Sequence, residues 1–310
     1  MSLTRSVFLA LSRSQRLQEM TVRLGLARKV VRRFVAGETL EEAISAVGRL
    51  NESGLLGTLD HLGENVTSET EARDATTEIL DLLAAIQDSG IQSGVSVKLT
   101  QLGLDLHPAL AAENLERIVA RAAEVGCFVR MDMESHDYIQ RTLDLFEALW
   151  ERYKNVGVVI QSYLYRSEDD VARLVELGAS VRLVKGAYDE PPEVAYPDKA
   201  DVDASFVRLM EQLFSDQAQA NGVFAAVATH DTKLIDWARG HTSQQGIPPD
   251  RFEFQMLYGI RTGLQRQLAG EGYRVRAYVP YGRQWYPYFM RRLAERPANV
   301  LFLLRNLLRA

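Results

Sequence analysis

The chain has 310 residues, of which 46% are hydrophobic and 25% charged, and its formal net charge is -5. That is ample apolar material for one large domain or two ordinary ones, and the acidic balance argues against nucleic acid as the main partner. A single cysteine, Cys127, excludes an internal disulfide, and no apolar run reaches the roughly 18 residues that a membrane-spanning helix needs.

Residues 1–37 carry Arg5, Arg13, Arg16, Arg23, Arg28, Lys29, Arg32 and Arg33 against Glu19 alone. Apolar residues interleave with them at helical spacing. Such a segment suits an organelle leader, a membrane-surface helix, or helices packed on the outside of a domain. The expectation is the last, with N-terminal helices over 1–50.

From residue 54 a short β-rich run alternates with a longer helical stretch. The predicted strands are Gly54–Asp60, Val95–Thr100, Phe128–Glu134, Val156–Leu164, Val181–Tyr188, Val223–Thr229, Phe252–Leu257 and Val275–Pro280. The predicted helices between them are Glu69–Asp88, Asn114–Val125, His136–Tyr153, Glu168–Leu177, Asp203–Ala220, Lys233–Arg239 and Arg261–Leu268. Strand–helix alternation implies parallel strands with right-handed crossovers. Eight such strands imply a closed α/β architecture, a (β/α)8 TIM barrel over residues 51–310.

Polar side chains gather at the C-terminal ends of these strands: Asp60, Lys98, Asp132, Gln161, Lys185, Thr229, Gln255 and Tyr278. Barrel closure brings those ends to one mouth, where the active sites of such barrels lie. The asymmetry points to an enzyme. No dinucleotide fingerprint, phosphate loop or nucleophile elbow is present. The histidines have no metal-ligand spacing. Asp132 and Glu134 face the same way and would suit a divalent cation. Lys98 on the neighbouring strand is a simpler partner for Asp132, so no metal is expected.

Arg182 faces the same way as Val184, opposite Leu183 and Lys185. An inward guanidinium needs a carboxylate, such as Asp132 or Glu134, or another strong acceptor. Gly186 then lets backbone approach a flat or phosphorylated ligand. Thr229–His230–Asp231 either grips a ligand or starts a helix, with Thr229 or Asp231 as N-cap. In the final stretch, Pro280 and Gly282 end the last strand and a helix follows. Tyr288, Arg292 and Glu295 share one face of it, with Arg291 beside them. Two adjacent guanidinium forks suit a small carboxylate; a solvated face with an Arg291–Glu295 pair is the alternative.

The runs SVKLT, MDME, QSYL, RLVKGAY, ATHD, FQMLYG, RAYVPYG and YFMRRLAE stand in the order seen in proline dehydrogenases. The chain resembles the monofunctional bacterial form of that family over residues 50 to 300. The resemblance implies a distorted (β/α)8 barrel that binds FAD at its mouth. It implies oxidation of L-proline to 1-pyrroline-5-carboxylate, the first step of proline degradation to glutamate. It further implies a membrane quinone as electron acceptor, and a cytoplasmic protein in weak contact with the inner face of the cell membrane.

By the same resemblance Arg291 and Arg292 hold the proline carboxylate with Lys98, and Asp132 orients Lys98. Leu257, Tyr278 and Tyr288 close over the proline ring, and Glu295 pairs with an arginine of the clamp. Met133, Gln161, Arg182, Lys185, Gly186, Ala187, Thr229 and His230 line the FAD. Arg182 stands near the reacting nitrogen, where negative charge develops as a flavin takes up electrons. Two positions depart from the family's pattern, Asp189 after KGAY and Asp231 after the TH pair. The rival readings are a folate-acting flavin barrel resembling methylenetetrahydrofolate reductase, a Schiff-base aldolase using Lys185 or Lys98, and a barrel that only binds a partner.

Overall fold

The computed structural model describes residues 31–295, the last five by backbone alone. Eight parallel strands close into a barrel in sequence order. They are β1 (Leu56–His61), β2 (Ser93–Val97), β3 (Val129–Met131), β4 (Val156–Gln161), β5 (Ser180–Val184), β6 (Phe224–Ala228), β7 (Phe252–Leu257) and β8 (Arg274–Tyr281). β8 closes the ring on β1, with Tyr278 opposite Thr58 and Pro280 opposite Asp60. Every other neighbour pair is parallel as well, as right-handed strand–helix–strand crossovers require.

The helices between strands are α2 (Glu69–Ser89), α3 (Pro108–Glu124), α4 (Ile139–Trp150), α5 (Ser167–Glu176), α6 (Lys199–Leu213), α7 (Asp216–Asn221), α8 (Thr232–Gln244) and α9 (Thr262–Gly270). Each turns an apolar face inward. On α2 the buried set Ala72, Ala75, Ile79, Leu82, Leu83 and Ile86 recurs every three or four residues. One continuous apolar core joins these faces to the outward sides of the strands.

Several boundaries shift from the sequence reading, and two helical stretches change form. The stretch 203–220 is broken, because the Ser215 hydroxyl accepts from the Ala218 amide at 3.2 Å and starts α7. The stretch 136–153 opens with a 3-10 turn, His136–Tyr138, before α4. The His136 amide there donates to Glu190 at 2.9 Å, a bond to a distant loop rather than along a helix.

The larger departure from a regular barrel lies at the seam between β8 and β1. A helix before the barrel, α1 (Leu40–Asn51), packs on both strands. A Cβ built on Gly57 of β1 would stand 2.7 Å from Val47 of α1, so only glycine admits this approach. The helix after β8, α10 (Trp285–Glu295), lies elsewhere. Trp285, Tyr286, Tyr288 and Phe289 pack with Val31, Phe34, Val35 and Leu62 in a second small core. Leu62 follows β1, so this core stands on the mouth side. Backbone bonds from Ala36 to Pro280 (2.9 Å) and from Gly282 to Gly37 (3.0 Å) tie the segment before α1 to the end of β8.

Candidate active site

A cavity of about 690 Å³ opens among the C-terminal strand ends. Strand geometry explains what lines it. Inward positions alternate, and the residue at or just past each strand end projects into the mouth. Lys98 follows β2, Asp132 follows β3, Arg182 belongs to β5, Leu257 ends β7 and Tyr278 lies in the second half of β8. Tyr288 reaches the cavity from α10. Met133, Gln161, Lys185, Gly186, Ala187, Thr229 and His230 complete the sequence-derived set, and all of them line the same cavity. Arg291, Arg292 and Glu295 lie on α10, with their side chains outside the described residues.

The inner wall is one hydrogen-bonded network. Lys98 Nζ lies 3.2 and 3.3 Å from the two oxygens of Asp60 and 3.4 Å from Asp132 Oδ2. It also donates to Tyr278 Oη at 3.3 Å, and Glu64 stands 3.9 Å away. Tyr278 Oη in turn donates to Asp132 Oδ2 at 2.6 Å. The other Asp132 oxygen accepts from Arg182 Nη1 at 2.7 Å. Arg182 Nη2 donates to Ser96 Oγ at 3.2 Å, its Nε donates to Gln255 Oε1 at 2.5 Å, and its guanidinium lies over the Tyr278 ring at 5.3 Å. Lys98, Asp60, Asp132 and Arg182 are all less than a tenth exposed.

Burial and pairing decide the charges here. Burial would lower the Lys98 pKa, but Asp60 and Asp132 outweigh it and hold the ammonium well above the usual lysine range. Burial raises Asp60 above an ordinary carboxylate, with Lys98 opposing and Asp132 adding to it. Asp132 is buried too, yet two cations, Lys98 and Arg182, hold it below the ordinary range. Burial and then Asp132 push the Tyr278 phenol well up, so it is a proton donor at neutral pH.

A Schiff-base lysine needs a lowered pKa and a free amine. Lys98 has neither, and Lys185 is ion-paired with Asp203 and, at 2.9 Å, with Asp231. The aldolase reading therefore lacks its nucleophile.

At the rim, Gly186 adopts φ +113, and a Cβ there would run into the Tyr163 ring. A side chain is excluded on both counts. Asp231 both caps α8, accepting from the Lys233 amide at 3.2 Å, and binds Lys185, so one departure from the family's pattern has a local structural role. Thr229 Oγ1 accepts from the Asp231 amide at 3.1 Å, and His230 Nε2 accepts from the Leu257 amide at 3.0 Å. Gln161 Oε1 is buried at the cavity wall with no partner among the described residues.

Sequence reasoning named Asp132 as the partner of Lys98 and missed that Asp60 shares it. The signal was present, since Asp60 stands at the C-terminal end of β1 as Asp132 stands just past that of β3. It also missed Glu64 as a cavity residue, and it placed Gln255 at the mouth without giving it a role. These additions change the balance of charge. The inner cluster has two cations, Lys98 and Arg182, against Asp60, Glu64 and Asp132. It is not positive by itself.

An eight-stranded barrel with a deep, charged mouth is an enzyme's architecture. A family profile described as proline dehydrogenase matches residues 43–305. The chain is 44% identical over 306 residues to proline dehydrogenase 1 of Bacillus subtilis strain 168, covering 98% of this chain and 99% of that one. It is 46% identical over 282 residues to proline dehydrogenase of Deinococcus radiodurans, covering 89% of each. Among solved structures, proline utilization A from Bdellovibrio bacteriovorus, inactivated by N-propargylglycine, superposes with a TM-score of 0.81 at 28% identity. That match covers 87% of this chain, which spans 33% of the larger protein. The chain belongs to the proline dehydrogenase family and is an enzyme of that kind. The folate-acting reading is set aside by this membership.

Proposed function

We propose that the protein is a flavoenzyme that oxidises L-proline to 1-pyrroline-5-carboxylate with FAD, passes the electrons to a quinone, and so opens proline degradation to glutamate. The observation that carries this is the convergence of the family's motif residues on one cavity of about 690 Å³. That size suits a cofactor together with a small substrate. The residues fit a flavin. The unpartnered Gln161 Oε1 would accept from a ring N–H, Gly186 lines the cavity with backbone alone, and Arg182 provides a buried cation. Met133, Lys185, Ala187, Thr229 and His230 would complete its binding surface. When bound, FAD supplies the hydride acceptor and the link to quinone.

The chain's own residues would bind and orient proline. Arg291 and Arg292, with Lys98, would grip the carboxylate, and Glu295 would pair with one of the arginines. Asp132 holds Lys98, Arg182 and Tyr278 together, so it would fix the clamp relative to the cofactor's cation. Leu257, Tyr278 and Tyr288 would exclude water from the proline ring. The substrate amine has to lose its proton before hydride leaves the neighbouring carbon. A net positive field would favour that loss, and with the inner cluster as it stands the field has to come from Arg291 and Arg292.

A cytoplasmic protein that visits the inner membrane surface follows from a quinone acceptor. No helix among the described residues is long and apolar enough to cross a membrane. The test is direct. Protein loaded with FAD should convert L-proline to 1-pyrroline-5-carboxylate with a soluble quinone analogue as acceptor. Product formation without flavin, or none with it, would overturn the assignment.

A further inference from the structure

We propose that Glu253, at the floor of the barrel, is a positioning residue for Arg182 and acts through the side-chain amide of Gln255. Glu253 and Gln255 are two apart on β7 and both point inward; they are 2% and 4% exposed. A second cavity, of about 350 Å³, lies at the N-terminal strand ends and is lined by Glu253, Gln255, Arg182 and Arg276. Gln255 and Arg182 line the mouth cavity as well, so they form the partition between floor and mouth.

A single chain of hydrogen bonds crosses that partition. Arg276 Nη1 donates to the Gly57 carbonyl at 2.6 Å, and Arg276 Nε donates to Glu253 Oε1 at 2.8 Å. Gln255 Nε2 donates to the same Glu253 oxygen, and Gln255 Oε1 accepts from Arg182 Nε at 2.5 Å. Arg182 then donates to Asp132 at 2.7 Å. Burial works against an ionised Glu253, but Arg276 outweighs it and keeps the group a carboxylate.

The order of donors fixes the amide. An ionised carboxylate only accepts, and a guanidinium only donates. Gln255 therefore has to turn its NH2 to Glu253 and its oxygen to Arg182. No other orientation leaves both neighbours satisfied in a buried site. The three nitrogens of the Arg182 guanidinium then have one partner each, Asp132, Ser96 and Gln255. Its plane at the mouth is thus set from below.

A Glu253→Met variant breaks the chain where it matters. Arg276 and Gln255 both donate to one Glu253 oxygen, and the other oxygen has no hydrogen-bond partner among the described residues. A glutamine could therefore keep one oxygen for both donors, whereas methionine removes the acceptor. The Gln255 NH2 then loses the group that orients it, and Arg276 Nε competes with Arg182 for the Gln255 oxygen. Arg182 loses its fixed Nε partner.

The inference rests on the reading that Arg182 faces the flavin, so two readouts are needed. The first ignores the flavin's chemistry: the Nε–H signal of Arg182 in 15N-arginine spectra of the FAD-loaded protein, assigned by its loss in Arg182→Lys. It should be protected from exchange in the wild type and lose that protection in Glu253→Met. The second is single-turnover flavin reduction by proline. Glu253→Met should slow it about ten-fold or more, as a small misplacement of a reacting group does, with the proline dissociation constant and FAD content unchanged. Gln255→Met should slow it alike, and Glu253→Met added to Gln255→Met should slow it no further. Ser180→Ala, which removes a partner of Arg130 at the same floor, should leave the rate alone. Gln255→Met reads the same link if Glu253→Met does not fold. A protected signal in Glu253→Met, or additive effects in the double variant, would overturn the proposal. A lost signal with an unaltered rate would instead remove the role of Arg182 at the flavin.

Discussion

Replacing Lys98 by Met should expose how much the inner network depends on one ammonium group. Met keeps most of the stem and removes the charge. Lys98 is 8% exposed, and its nitrogen is shared between Asp60 and Asp132 at 3.2 to 3.4 Å. Breaking a buried pair on one side costs roughly 3–5 kcal/mol, because the remaining charge is left unmatched. The cost should depend on pH. Asp60 already has a pKa raised above 3.8, with Lys98 as the main force opposing burial. Without Lys98 it should rise further. An acid whose folded pKa lies above its unfolded value adds stability below the unfolded value and loses it as pH rises. The variant should therefore suffer most in mild alkali and recover in mild acid. Urea unfolding of both proteins, with equal slopes, measures the gap. At pH 8 it should be about 3 kcal/mol and at pH 5 distinctly smaller. A gap under about 1 kcal/mol, as an exposed pair gives, or one that does not shrink in acid, would refute the argument.

Arg291→Ala or Arg292→Ala should raise the KM for proline about ten-fold or more, the worth of a charge-assisted hydrogen bond, while FAD stays bound; an unchanged KM in both would refute the clamp. Arg182→Ala should slow flavin reduction in a single turnover, and an unaltered rate would remove its proposed role. Cys127 is 4% exposed, and burial pushes its thiol up to about 11. It should react with iodoacetamide at pH 8 only on unfolding, and rapid labelling of the native protein would contradict this packing.

The strands were legible because parallel barrel strands are buried on both faces and read as short β-rich runs between helices. The mouth was legible because polar residues stood at strand ends rather than starts. Lys98 and Asp132 could be paired from sequence, since their strands are neighbours in any sequential barrel. Asp60 had equal claim on Lys98, but nothing in one sequence ranks two acids at equivalent strand ends. The seam was not legible. An amphipathic helix such as α1 shows which face is apolar, not that it will fill the place between β8 and β1. Nor was the chain from Glu253 to Arg182, because its members are 71 to 73 residues apart in sequence or lie low on their strands, where polar residues read as floor. The break at Ser215 was readable in hindsight: a serine before an aspartate inside an apolar rhythm is an N-cap signal.

The account stands on a flavin held at the barrel mouth within reach of proline. The most direct measurement is the visible spectrum of the purified protein on adding L-proline without oxygen. The account predicts a yellow protein whose flavin band bleaches with proline and returns with quinone. A colourless protein, or a yellow one that proline leaves unchanged, would contradict it.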